Sequence, residues 1–352
     1  MTANGAPLPT SQKGYRLHTW GSDPVWEEFP VRPPADGEAL IEIEACGVGS
    51  TVLNLLRGNG SGGGAGLPRV PGHELVGRVV DTGSSDDREL IGRHVTAYFY
   101  LYCGRCEACS AGLEDRCPRL AGLVGVEIDG GYAQFASLPT RNLVTIPDGI
   151  DPVAATVVPD AVATPVHICR TRARVNPFDR VAIIGAGGGV GIHLVQVARL
   201  FGAAVAGLDL SDEKLAAIEE HGAVAVRSGD FSGVDGRIWA VGGPTVVVDF
   251  IGTPDSFAWA LGAVEPGGRV IAMTSFPSVR GDVEQRHLVE NELTILGSRY
   301  ATFREVQLAV ELVASGRVQP VIGLTTPPSG VPEIHRRLRS GQVVGRAAIR
   351  WT

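Results

Sequence analysis

The chain has 352 residues, 44% of them hydrophobic, with 47 glycines, 23 prolines and a formal net charge of −7. That length predicts two domains, and the apolar share is enough to give each a core. Lysine and arginine number 31 against 38 acidic residues, with no basic run or basic-aromatic interleaving, so a phosphate backbone finds nothing to hold and nucleic acid is excluded as an expected partner.

The opening MTANGAPLPTSQK lacks the apolar core of a signal peptide, and no later stretch reads as the eighteen or more apolar residues of a membrane span. A cytoplasmic protein is expected. From Tyr15 to about Pro147, short apolar runs broken by Gly and Pro, such as ALIEIEACG at 39–47 and LVGRVVD at 75–81, predict an irregular β-rich domain. Within it, RGNGSGGGAGLP at 57–68 reads as a mobile surface loop rimming a cleft, because glycine loses most entropy on ordering. From about Val157 the pattern alternates: strands at 181–184, 205–209, 245–250 and 269–273, with helices from Gly188 to Phe201 and from Asp212 to His221. This predicts a doubly wound parallel sheet and an α/β fold class. After about Asn291 a helix from Phe303 to Ser315, the Pro-rich TTPPSGVP and a last strand GRAAIRW are expected to pack back on the first domain.

The strand at 181–184 runs straight into GAGGGVG at 185–191 and then into an apolar-periodic helix, which is the context a dinucleotide fingerprint requires. The chosen register sets Ala186, Gly188 and Gly191 on the three fingerprint positions and leaves Gly185 and Gly187 to make the turn, with Gly189 and Val190 between. Small residues there let backbone approach a pyrophosphate at a helix N-terminus. Asp209, at the end of the next strand, can accept both ribose hydroxyls and repel a 2′-phosphate, so NAD(H) is expected over NADP(H). Lys214 is a further candidate cofactor residue that otherwise reads as an ordinary surface lysine.

Cys103, Cys106, Cys109 and Cys117 form C-x2-C-x2-C-x7-C on a loop without apolar periodicity, a spacing that predicts a closed, structural zinc site. An iron–sulfur cluster is the competing assignment, and the long last gap disfavours it. Cys46 and Cys169 read as buried packing.

Taken together these motifs resemble the medium-chain, zinc-containing alcohol dehydrogenases over nearly the whole chain. The residues carrying the resemblance are ACGVGSTVLNLLRG at 45–58, PGHELVGRV at 71–79, the four-cysteine lobe, PDAVATPVH at 159–167, GAGGGVG with Asp209, and GRAAI at 345–349. It implies a GroES-like catalytic domain at 1–156 and 292–352, with the zinc lobe near 98–120, and a Rossmann domain at 157–291. It further implies a homodimer or homotetramer, a small-molecule substrate and a catalytic zinc. His73 and Glu74 match the family's zinc-binding His and its neighbour; Asp160 and Thr164 match the third ligand and a Thr near the nicotinamide; Arg346 matches an arginine on the cofactor's pyrophosphate.

The first motif departs from the pattern. The family's ligand Cys is Gly49, its Asp is Val52 and its His is Asn54, while the hydroxyl survives as Thr51. Gly49 offers no donor, and Asn54 takes up no proton as histidine does. Two enzymatic outcomes are open. A second zinc held by His73, Asp160 and Glu74 would give a conventional alcohol dehydrogenase. A centre without tightly bound zinc would transfer hydride to a carbon needing less activation, such as the β-carbon of an enone, with Thr51 as proton donor or oxygen-orienting group. The triple loss favours the second. A non-catalytic NAD-binding sensor or subunit is the reading from another class. His18, His94, His167, His193, His221, His287 and His335 show no ligand spacing and read as structural or surface groups.

Overall fold

The computed structural model describes residues 7–58, 66–274 and 279–351; most of the glycine-rich loop expected at 57–68 lies outside them. The chain divides into two compact units, one of residues 1–160, 302–315 and 322–352, the other of 161–301 and 316–321.

In the first unit β1 (Ser11–Arg16) and β2 (Val25–Pro30) form an antiparallel ribbon, Tyr15 opposite Trp26. Strand β3 (Glu38–Val48) is long enough to pair with three partners. It leads into the short helix α1 (Ser50–Leu56), whose Val52, Leu53, Leu55 and Leu56 are buried. Val52, in the place of the family's acid, belongs to the apolar core around Leu17, Leu56 and Tyr132. Strand β4 (Glu74–Thr82) pairs antiparallel with β3, and β5 (His94–Ala97) pairs with β4. The one-turn helix α2 (Glu107–Ser110) lies in the cysteine lobe. Strands β6 (Phe135–Pro139) and β7 (Leu143–Thr145) close on β3 and β5.

A helical run follows, from α3 (Pro152–Ala155) through a π-helical turn at Val158–Val162 to α4 (Ala163–His167). Among the described residues Pro152–Arg172 is the one helical run that by length and composition could cross a bilayer. Its most apolar window is 83% buried inside the protein, as a core helix requires.

The second unit carries a six-stranded, all-parallel sheet. Its strands are β8 (Arg180–Ile184), β9 (Ala204–Asp209), β10 (Val224–Arg227), β11 (Val246–Asp249), β12 (Arg269–Ala272) and β13 (Thr294–Gly297), in the order β10-β9-β8-β11-β12-β13. This is the doubly wound order 3-2-1-4-5-6, with the switch point between β8 and β11. Helices α5 (Gly191–Leu200), α6 (Asp212–Glu220), α7 (Pro254–Ala263) and α8 (Gln285–Glu290) make the connections. The core is aliphatic, from Ile184, Leu208, Val247 and Val270 against Ala260 and Leu261 of α7.

The chain then returns to the first unit through α9 (Phe303–Ala314), started by a Thr302/Glu305 capping box, and through β14 (Ile322–Thr326), α10 (Val331–Arg339) and β15 (Arg346–Arg350). β15 pairs antiparallel with β3, as the expected return to the first domain requires. Residues 294–297, placed by sequence in the returning tail, instead complete the parallel sheet, so the second unit runs to residue 301.

Candidate active site

In the second unit Gly185 ends β8 with φ +80°, a left-handed conformation that costs a glycine nothing. A Cβ on Gly191 would overlap the Gly185 carbonyl oxygen, so the start of α5 sits directly against the turn. The Gly188 N–H donates to the Gly185 carbonyl at 3.2 Å, so Ala186 and Gly187 stand at the centre of the turn, and the Ala186 methyl packs beside Gly207 of β9, where a side chain would come within 2.7 Å of it. At Gly188 an added Cβ would meet only the Gly185 oxygen, at 3.3 Å, which leaves the backbone open for a phosphate.

Asp209 is buried at the end of β9, accepting the Gly187 N–H at 2.9 Å and the Leu210 N–H at 2.8 Å. Lys214 is no free surface lysine. Its Nζ lies 3.5 Å from Asp209 Oδ1, and its stem fills the space above Gly187. His193, expected from sequence to be a structural or surface group, is fully buried on α5. The Val321 N–H donates to Nε2 at 3.1 Å, so Nδ1 carries the proton and donates to the Gly189 carbonyl at 2.6 Å. The neutral ring thus fixes one peptide of the glycine turn. Its position four residues after Gly189, in the first turn of the helix, was the available signal for its contact with the glycine turn. Thr164 is buried in α4. These groups fit a dinucleotide: a glycine turn, a helix N-terminus and one acid at the sheet's C-terminal edge.

In the cysteine lobe the sulfurs of Cys106 and Cys109 are 3.3 Å apart, those of Cys106 and Cys117 3.8 Å, and those of Cys103 and Cys109 3.9 Å. Thiolates about 2.3 Å from a tetrahedral zinc would stand about 3.8 Å apart, so the four sulfurs fit the metal. The Arg105 backbone N–H draws the Cys103 thiol down to about 6, while burial and the neighbouring Cys106 push the Cys109 thiol up to about 12. Cys46 and Cys169 are both buried, and burial pushes their thiols up, as packing residues.

Of the remaining predicted residues, His73, Glu74, Asp160 and Arg346 meet beside one face of the first unit's sheet. Gly47 of β3 is opposite Glu74 of β4, and the antiparallel register that pairs Ala347 with Val48 carries Arg346 to Gly49. Residues 47 and 49 share a face, so Glu74 and Arg346 approach each other diagonally across β3. They meet because both intervening residues are glycine. A Cβ on Gly47 would lie 2.7 Å from Glu74 Oε2, and one on Gly49 would overlap Arg346 Nη1 and stand 2.7 Å from its Cζ.

Arg346 is 5% exposed; its Nε and Nη2 donate to Glu74 Oε1 at 3.1 and 2.9 Å, and Nη2 also donates to Asp160 Oδ2 at 2.7 Å. Asp160, on the π-helical turn, faces His73 Nε2 at 3.5 Å. The His73 ring packs on Phe99 with centroids 4.6 Å apart. Burial raises the Glu74 carboxyl above its usual range against the pull of Arg346. Of the three guanidinium nitrogens, Nε and Nη2 are committed to carboxylates. Thr51 lies exposed in the first turn of α1 and Asn54 half-buried one turn later, neither hydrogen-bonded to the cluster.

Ligand atoms of His73, Glu74 and Asp160 lie within 4.8 Å of one another. The cluster nevertheless does not fit a catalytic zinc. Gly49 has no donor, and Glu74 Oε1 and Asp160 Oδ2 already hold a guanidinium, which leaves Glu74 Oε2 buried beside Gly47 as the one carboxylate oxygen of Glu74 without a partner among the described residues.

Residues 35–148 match the family described as alcohol dehydrogenase GroES-like domain and residues 189–315 the family described as zinc-binding dehydrogenase. An acryloyl-coenzyme A reductase of Sulfurisphaera tokodaii is 28% identical, over 97% of this chain and 98% of the reductase. An alcohol dehydrogenase of Geobacillus stearothermophilus is 31% identical, over 90% of this chain and 92% of its own length. The solved structure of acetophenone reductase from Geotrichum candidum in complex with NAD superposes with a TM-score of 0.87 at 29% identity, covering 98% of both chains. Matched family by family along its length, the chain belongs to the medium-chain, zinc-containing alcohol dehydrogenases, a family of oxidoreductases.

Proposed function

We propose that the chain is an NAD(H)-dependent reductase of a small organic carbonyl or conjugated enone, with one zinc in the cysteine lobe and none at the catalytic centre. The observation that carries the cofactor assignment is the Gly185–Gly191 turn with buried Asp209 at its edge. Bound NADH supplies hydride. The chain's own residues do the rest: the Gly188 region and the α5 N-terminus receive the pyrophosphate, Asp209 receives the adenosine ribose, and the His73–Asp160–Arg346 cluster receives the substrate oxygen. Thr51, in the first turn after Gly49, is the hydroxyl from which a proton reaches the product. Relatives named as an acryloyl-coenzyme A reductase and an acetophenone reductase support the reductive direction. The family resemblance adds a homodimer or homotetramer.

NADH oxidation measured against a panel of aldehydes, ketones and enones tests this reading. Turnover with an enone or aryl ketone, faster with NADH than with NADPH, is the expected result. No turnover with any member of the panel would return the chain to a sensor or subunit role and overturn the proposal.

A further inference from the structure

We infer that the guanidinium of Arg346 takes the place of the catalytic metal in this chain, seated in the volume that Gly49 vacates and offering Nη1 to the substrate oxygen. Three observations support it. Gly49 has extended backbone, φ −128° and ψ −176°, which any residue adopts, so the missing thiolate is not imposed by the main chain. A side chain there is excluded by Arg346 itself, whose Nη1 would overlap the Cβ. And Nη1 is the one guanidinium nitrogen without a hydrogen bond among the described residues, while Nε and Nη2 anchor the group on Glu74 and Asp160.

Electrostatics make the exchange self-consistent. Two acids that are nearly or fully buried need a cation, and a guanidinium held by both is fixed in position and permanently charged. Zinc would have to displace it and would gain no thiolate in return. With a reduced nicotinamide bound to supply hydride, the carbonyl carbon or β-carbon would gain the new C–H bond and the π electrons would move onto oxygen. The Nη1 protons hydrogen-bond that oxyanion, and its neutralising proton comes from Thr51, refilled from water. Arg346 keeps its own protons throughout. The donor role rests on the reductase reading above; the seating of the guanidinium does not.

Zinc per chain, counted by elemental analysis after equilibration with zinc and gel filtration, tests the seating. The wild type should keep one zinc and Gly49→Cys also one, with a lower melting temperature because the introduced thiol crowds the guanidinium. Gly49→Cys combined with Arg346→Ala, which leaves the new thiolate, His73 and Asp160 facing an empty volume, should hold two. A second zinc in the wild type, or only one in the double variant, overturns the inference. Where loss of the charge prevents folding, Arg346→Lys keeps the cation but not the fork. Its kcat should fall by about 10²-fold, the effect of removing an oxyanion donor, with NADH affinity unchanged. Weaker NADH binding with kcat intact would instead make Arg346 a pyrophosphate ligand and overturn the donor role. A wild type without turnover would take the donor role down with the reductase reading and leave the zinc counts to decide the seating.

Discussion

Asp209 shows how one side chain can serve both fold and specificity. One of its oxygens holds the Gly187 N–H and so shapes the glycine turn, and the other holds the Leu210 N–H with Lys214 alongside. A 2′-phosphate brought to this edge would meet a buried carboxylate already bonded to backbone. Asp209→Gly should therefore narrow the preference for NADH over NADPH and weaken NADH as well, because the turn loses an anchor. Titration of both cofactors by fluorescence measures this, and an unchanged NADH/NADPH ratio would remove Asp209 from the specificity determinants. The same double duty at Arg346 was not legible in sequence. An arginine after Gly345 reads as a cofactor contact by resemblance, and only the strand register shows that it faces Gly49.

Among the elements, the cysteine lobe depends most on a metal. Helix α2 has four residues and no buried ones, and Cys106 caps it by accepting the Cys109 N–H. Serine caps a helix as well as the thiolate does, so Cys106→Ser removes a zinc ligand while sparing the cap. Loss of the lobe zinc and a clearly lower melting temperature are expected, and zinc content and melting temperature both unchanged would refute the site.

Helix α10 brings a pH dependence of its own. His335, 2% exposed, meets the Tyr132 hydroxyl at 3.1 Å and stacks on that ring. Burial, reinforced by Arg339 and opposed by Asp23, pushes its imidazole from 6.5 down to about 4. The unfolded chain then binds a proton that the folded one refuses between these two values. The stabilisation is full above pH 6.5 and is lost as pH falls toward 4, on the order of 3 kcal/mol in all. His335→Gln, which keeps a hydrogen-bonding group beside the Tyr132 hydroxyl without a titrating ring, should flatten the fall in denaturation midpoint between about pH 6.5 and 4.5. An equally steep fall in the variant would locate the acid sensitivity elsewhere.

At the scale of the whole molecule, the parallel sheet was readable wherever strands carried short apolar runs with buried interiors: β8, β9, β11 and β12 lie within one residue of their expected spans. The short β10 and β13, four residues each and only partly buried, gave too little pattern. Missing β13 shifted the boundary of the second unit. Helix α10, obscured by the prolines before it, was missed as well. The site divides in the same way. Its residues stand in sequence motifs, but their partnership depends on glycines 47 and 49 clearing one face of β3, which no motif expresses.

The central claim is that a buried guanidinium, and no second zinc, occupies the catalytic centre. Elemental analysis of the purified protein, isolated in ordinary buffer without added metal, tests it most directly. Close to one zinc per chain, lost on Cys106→Ser, is the predicted result; two tightly bound zincs, one of them lost on His73→Ala, would contradict it.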